Sequence, residues 1–173
     1  MDAAETSVGM GELHVADNKK DTVLTTFVGS CIALCLYDPQ SKVGGMAHIM
    51  LPENSRNNDD DGSSSGEEGA AKYADEALEN TLRMMVKKGA LQGRLVAKIA
   101  GGAKIFSHEG SGGDNDMFSI GSRNAESIKK LLTQKGIRIA GEDVGLNHGR
   151  WVRFNLNSGQ VVVSMRNSGE KIL

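Results

Sequence analysis

Cys31 and His48 are the residues of this chain whose types and spacing could do covalent chemistry. A thiol becomes a nucleophile when a neighbouring imidazole takes its proton, and the imidazolium can then protonate a leaving amine. Cys31 follows Gly29-Ser30, and between it and His48 lies Asp38-Pro39-Gln40-Ser41. That tetrapeptide is a turn signal, because proline presets φ and aspartate can bond its own backbone. If the flanking segments pair as a hairpin with Tyr37 opposite Lys42, Cys31 falls opposite His48, with Cβ atoms about 4.5–5.5 Å apart. A slip of one residue would put Ile32 opposite His48 and turn Cys31 to the other face. The Gly29-Ser30 turn makes the backbone N–H of Cys31 a candidate oxyanion donor, with Gly29 and Ser30 as near-site residues. Thr25 could accept the other imidazole N–H and fix the tautomer, a role an acidic or amide side chain plays in other triads.

A competing reading needs no chemistry. A cysteine in an apolar strand ordinarily packs a core, and a histidine on the next strand is ordinarily just hydrogen-bonded. Cys35 is the internal comparison: it shares the apolar run but has no matching histidine, so it reads as core. On one strand the two cysteines would be about 13 Å apart, too far to bridge. The chain has no CxxC and no HExxH, and its four histidines are scattered, so no metal site is expected. His14, His108 and His148 read as structural or exposed. Gly101-Gly102 lacks the rest of a phosphate loop, and Glu142-Asp143 reads as a solvated turn.

The elements that must position the pair are strand-rich. Gly11 to Val15 reads as a short strand and Thr22 to Val28 as a β-branched one. Cys31 to Tyr37 is a nearly continuous apolar run that suits a buried strand, although periodicity alone leaves a short buried helix open. Val43 to Leu51 returns as its partner, with Gly44-Gly45 allowing close approach or a bulge. Residues 53–69 are polar and of low complexity, and read as a mobile surface loop. Ala70 to Lys88 has one apolar helical face and stops at Gly89. A strand over Arg94 to Ala100 follows, then a polar loop over 107–116 and a short strand at Met117 to Ile120. A helix capped by Ser122 runs to Lys135. Ile137 to Ala140, Trp151 to Leu156 and Val161 to Met165 are three more strands, the last two joined as a hairpin by Asn157-Ser158-Gly159.

Composition bounds the rest. The length of 173 residues suits a single domain, 1–173, large enough to bury a core. Hydrophobic residues make up 39% and charged residues 24%, as in ordinary globular chains. A net charge of −2 gives no electrostatic case for nucleic acid or an anionic membrane surface. The first residues lack the basic start and apolar run of a secretory signal, and no stretch is long and apolar enough to span a bilayer. A cytoplasmic chain with free thiols is the expectation.

Several motifs then converge. TTFVGSCIALCLYDP, GGMAHIMLP, KYADEAL, AKIAGGAKIF, IGSRNAESIKKLL and GEDVGLNHGRWVRFNLNSGQV together resemble the chemoreceptor glutamine deamidases, the CheD family. The resemblance runs in order from about Gly11 to the C-terminus. It implies an α/β (α+β) domain of layered mixed β-sheets with outer helices, like the catalytic domain of glutamine-deamidating cytotoxins. It implies that Cys31, His48 and Thr25 are the catalytic residues and that no cofactor or metal is needed. The substrate it implies is a glutamine of a methyl-accepting chemotaxis receptor, with receptor methyl esters as a further substrate in some members. The partner it implies is a CheC-type chemotaxis phosphatase. An adaptor that only binds that phosphatase or the receptor is the alternative, and retention of Cys, His and Thr at these spacings speaks against it. The two polar loops are longer than the family pattern leads one to expect.

Overall fold

The apolar stretch from Thr22 to Ile49 folds as three strands that belong to two different sheets. The computed structural model describes residues 4–17, 19, 21–54, 70–105 and 119–173. In chain order the elements are β1 (Ala4–Ser7), β2 (Leu13–Asp17), β3 (Thr22–Val28), β4 (Ile32–Asp38), β5 (Val43–Ile49), α1 (Ala74–Lys87), β6 (Val96–Gly101), α2 (Ile120–Gln134), β7 (Arg138–Val144), β8 (Arg150–Asn155), β9 (Val161–Met165) and β10 (Gly169–Ile172). One sheet has the order β1-β3-β8-β9-β10 and the other β2-β5-β4-β6-β7. Each is mixed: β1 runs parallel to β3 and β6 parallel to β7, while the other pairs are antiparallel. The architecture is therefore α+β and layered, as expected. Among the described residues no helix is long and apolar enough to cross a membrane.

Side-chain alternation sorts the second sheet into two faces. Ile32, Leu34 and Leu36 of β4 and Val43, Ala47 and Ile49 of β5 pack with the apolar sides of α1 and α2. The intervening Ala33, Cys35, Tyr37 and Met46 pack against Leu24, Val28, Val152 and Phe154 of the first sheet. β4 and β5 are thus buried on both faces, which explains why their sequences are apolar without alternation. Gly44 and Gly45 serve this double burial. A Cβ at Gly44 would overlap Leu156 of the sandwich, and one at Gly45 would crowd Thr81 and Val15 on the helical side.

The hairpin register differs from expectation by two residues. Asp38 is a strand residue opposite Val43, so Tyr37 pairs with Gly44 and Ala33 with His48. The loop is Pro39 to Lys42. It closes through the Lys42 N–H on the Asp38 carbonyl at 2.8 Å, with Lys42 at φ 53°. Asp38 also accepts from the Gln40 N–H, from the Leu91 N–H and from the Arg94 guanidinium, which ties the hairpin end to the segment before β6.

Other boundaries shift modestly. α2 is capped by Ser119, whose side chain accepts from the Ser122 N–H, so Ser122 lies inside the helix. Ile120 opens that helix, and the rest of the strand expected at Met117 to Ile120 falls outside the described residues apart from Ser119. β1 and β10 are additions, both polar and exposed. Residues 55–69 of the expected polar loop, and all of 107–116 with His108, lie outside the described residues.

Candidate active site

Thr26 and His48 meet between the two sheets, and Cys31 packs against the same inter-sheet layer. Leu24, Thr26 and Val28 are the inward residues of β3, buried against the second sheet. On β5, His48 follows Met46 at the strand period, so it points into the same layer, and it is 3% exposed. Cys31 immediately precedes β4, two residues from the Ala33 that pairs with His48, and is half-buried against the same cluster. The expected direct opposition of Cys31 and His48 is corrected to a diagonal relation. Because the register moved by an even number, both side chains keep a common face.

The hydroxyl that meets the imidazole belongs to Thr26. Thr26 Oγ1 lies 2.8 Å from His48 Nδ1 and donates to the Val8 carbonyl at 2.7 Å. A threonine hydroxyl has one proton. With that proton on Val8, Nδ1 carries the hydrogen and donates to Oγ1, and Nε2 is left as the basic nitrogen. Thr25, one residue earlier, belongs to the opposite side of β3, where it pairs with Ser7 and Arg153. The structure brings Cys31 and His48 to one layer and leaves Thr25 out of it.

The electrostatics keep both groups neutral at rest. Burial lowers the His48 pKa; the nearby Val8 carbonyl and the charge of Glu12 pull upward without cancelling that effect. Burial pushes the Cys31 thiol up. Cys35 is fully buried and is pushed up to about 12, with Lys98 opposing, so it is inert at neutral pH.

The turn before Cys31 is held by backbone and by one side chain. Ala103 donates to the Gly29 carbonyl and Gly102 to the Cys31 carbonyl, at 2.8 and 2.9 Å. Gly101 adopts φ 115°, and a Cβ there would overlap the Cys31 carbonyl oxygen, so only glycine fits. Asn124 of α2 is fully buried, and its Nδ2 donates to the carbonyls of Ser30 and Met50, both at 3.0 Å. Arg150, also fully buried, binds Asp143 at 2.6 Å and donates to the carbonyls of Gly101 and Gly145. Glu142-Asp143 is therefore not a solvated turn: Asp143 is a buried ion-pair partner near the end of β7.

Two grooves flank this core. One, of about 910 Å³, is lined by Gly102, Lys104, Ser122, Glu126 and Leu146. The other, of about 750 Å³, is lined by Leu51, Pro52, Tyr73, Arg123 and Ser127. Neither is lined by Cys31 or His48, but they border Gly102, which bonds the Cys31 carbonyl, and Leu51, next to Met50. Among the described residues no cluster of three or more His, Cys, Asp or Glu could hold a metal ion. Thr26, Gly101, Asn124 and Arg150 went unassigned in the sequence. The quoted motifs contain all four, but nothing local says what each one touches.

Residues 50–165 match the family model for CheD chemotactic sensory transduction, a span that begins after His48. The chain is 44% identical to the probable chemoreceptor glutamine deamidase CheD of Archaeoglobus fulgidus, over 96% of this chain and 97% of that one. It is 39% identical to the chemoreceptor glutamine deamidase CheD of Thermotoga maritima, over 95% and 94% of the two chains. With its counterpart in Halalkalibacterium halodurans the identity is 41%, over 95% of each. These relatives align across the segment that holds Thr26, Cys31 and His48 as well as across the helices, and the chain belongs to the CheD family.

Proposed function

We propose that this protein is a single-domain glutamine deamidase acting on chemotaxis receptors, with Cys31 as nucleophile and His48 as base and acid. The observation that carries the reading is the buried Thr26–His48 pair, which leaves Nε2 as the basic nitrogen of a neutral imidazole in the layer that Cys31 packs against. Family membership and the names of the relatives supply the substrate class.

The steps follow from those protonation states. Nε2 of His48 takes the Cys31 proton as sulfur bonds to the carboxamide carbon of the receptor glutamine. The carbonyl π electrons move to oxygen, and backbone N–H groups of the Gly29-Ser30-Cys31 turn are the candidate donors to that oxyanion. The oxyanion collapses, the C–N bond breaks, and His48 gives its proton to the departing ammonia. Water, losing a proton to His48, then attacks the thioester carbon. Cleavage of the C–S bond returns the thiol and leaves glutamate. Thr26 keeps Nδ1 protonated throughout and disperses the charge of the transient imidazolium. A methyl ester would use the same route, with methanol leaving in place of ammonia.

The test is mass spectrometry of a receptor cytoplasmic fragment after incubation with enzyme. Wild type should convert specific glutamines to glutamate. Cys31→Ala should lower the rate about a thousandfold or more, and Cys35→Ala should leave most of it. A folded Cys35→Ala variant as inactive as Cys31→Ala would overturn the choice of thiol.

A further inference from the structure

Among the described residues, Asn124 is the side chain that bonds the backbone both just before Cys31 and just after His48. We propose that it is a positioning residue, whose amide sets the Cys31 turn against the His48 strand. The inference rests on the reading of Cys31 and His48 as nucleophile and base.

The ladder between β4 and β5 ends at Ile32 opposite Ile49. Carried one step further, the register would put Cys31 opposite Met50, but the chain turns away there at Gly29-Ser30 and toward α1 at Leu51. The nucleophile therefore lies beyond the last sheet pairing that could hold it. Asn124 Nδ2 spans that gap, giving one hydrogen to the carbonyl just before Cys31 and the other to the carbonyl two residues after His48, both at 3.0 Å. Two bonds from one planar amide fix the separation of their acceptors more tightly than bonds from separate groups, because the two N–H directions cannot vary independently.

The rest of the amide argues for the same role. Asn124 Oδ1 is buried and has no hydrogen-bond partner among the described residues. A buried acceptor left unpaired is unfavourable, so stability alone does not explain an asparagine at this position. A side chain kept for its two donors, at the expense of an idle acceptor, is what positioning of the two carbonyls requires. The helix around it is built to bring it there. Gly121 lets α2 close on the Gly102-Ala103 backbone, where any Cβ would overlap their carbonyl oxygens. Ala125 and Ile128 anchor the same side of the helix in the core.

The experiment reads the thiol directly, apart from deamidation. Asn124→Leu keeps the branched shape and removes both donors, and Asn124→Ser keeps one hydroxyl donor. Each is checked for folding by thermal denaturation. Then the rate of Cys31 alkylation by iodoacetamide is measured in the Asn124 background and in the His48→Gln background, alone and combined. The expected result is that Asn124→Leu slows alkylation about tenfold, that His48→Gln slows it similarly, and that the double variant is no slower than His48→Gln alone. Asn124→Ser should recover part of the rate. Deamidation by Asn124→Leu should show a lowered kcat with KM nearly unchanged. Wild-type alkylation by a folded Asn124→Leu overturns the proposal, and so do additive effects of the two substitutions. If neither Asn124 variant folds, the amide is a fold element and the proposal also fails. An alkylation rate that His48→Gln leaves unchanged counts against His48 as the base and removes the premise. Deamidation that survives Cys31→Ala defeats the proposed function separately.

Discussion

At the residue scale the site turns on which of two adjacent threonines reaches His48. Val23-Leu24 and Phe27-Val28 flank Thr25-Thr26 with apolar pairs, so the strand can be read with either threonine inward. Parity is set by tertiary packing, which buries Thr26 at 3% exposure and leaves Phe27 at 49%. We expect Thr26→Val to lower kcat about 10- to 100-fold by releasing the imidazole, and Thr25→Val to change it little. The reverse order in steady-state assays would return the role to Thr25. The same pair predicts the acid limb of activity. A histidine whose pKa is lowered stays neutral, and so basic, as pH falls through its ordinary value of 6.5. The kcat/KM profile should therefore hold through 6.5 and decline only below it. Cys31 and His48 stand out as candidates from spacing and chemistry together with the family resemblance; Asn124 does not, because its partners are backbone carbonyls that carry no sequence signature.

At the element scale the hairpin β4–β5 shows what pattern reading does and does not supply. β3 and β9 have the expected bounds, since β-branched runs bounded by turn residues are strong signals. The register missed by two because Asp38 lies within the ladder while its side chain does the work of the turn. β1 and β10 are short, polar and exposed, and offer no alternation to read. Asp38 makes a prediction of its own. Burial opposes its charge, but the Arg94 guanidinium and the N–H groups of Leu91 and Gln40 outweigh that and hold the carboxyl far below the usual carboxylate range. A carboxylate with a lowered folded-state pKa contributes stability that is present above its unfolded value, 3.8, and is lost as pH falls below it. Asp38→Asn should destabilise the protein by about 3 kcal/mol at pH 7. Its stability should also vary less than wild type between pH 5 and pH 3 by urea unfolding. An unchanged acid dependence would show that another carboxylate governs it.

At the scale of the whole molecule the site is held from behind by a buried ion pair. Arg150 opens β8 in one sheet, and Asp143 lies near the end of β7 in the other. Through the Gly101 carbonyl, Arg150 supports the glycine pair on which the Cys31 carbonyl rests. Arg150→Met should cost about 3–5 kcal/mol, because among the described residues it leaves Asp143 only the exposed Lys171 as an ion-pair partner. Arg150→Met with Asp143→Leu should recover much of that stability by denaturant melts and little of the deamidation rate, since the Gly101 carbonyl keeps only its Gly145 N–H bond among those described and both it and the Gly145 carbonyl lose the guanidinium. Recovery of both would mean that the pair stabilises the fold without shaping the site.

Cys35 gives the chain a built-in gauge of its own integrity. In the folded molecule it is sealed between the sheets with its proton locked on, while Cys31 stands half open to reagent. A folded copy therefore takes a single thiol label, and a copy that has come apart takes two. In any preparation, the doubly tagged share of all tagged molecules counts the unfolded fraction one molecule at a time, without a substrate.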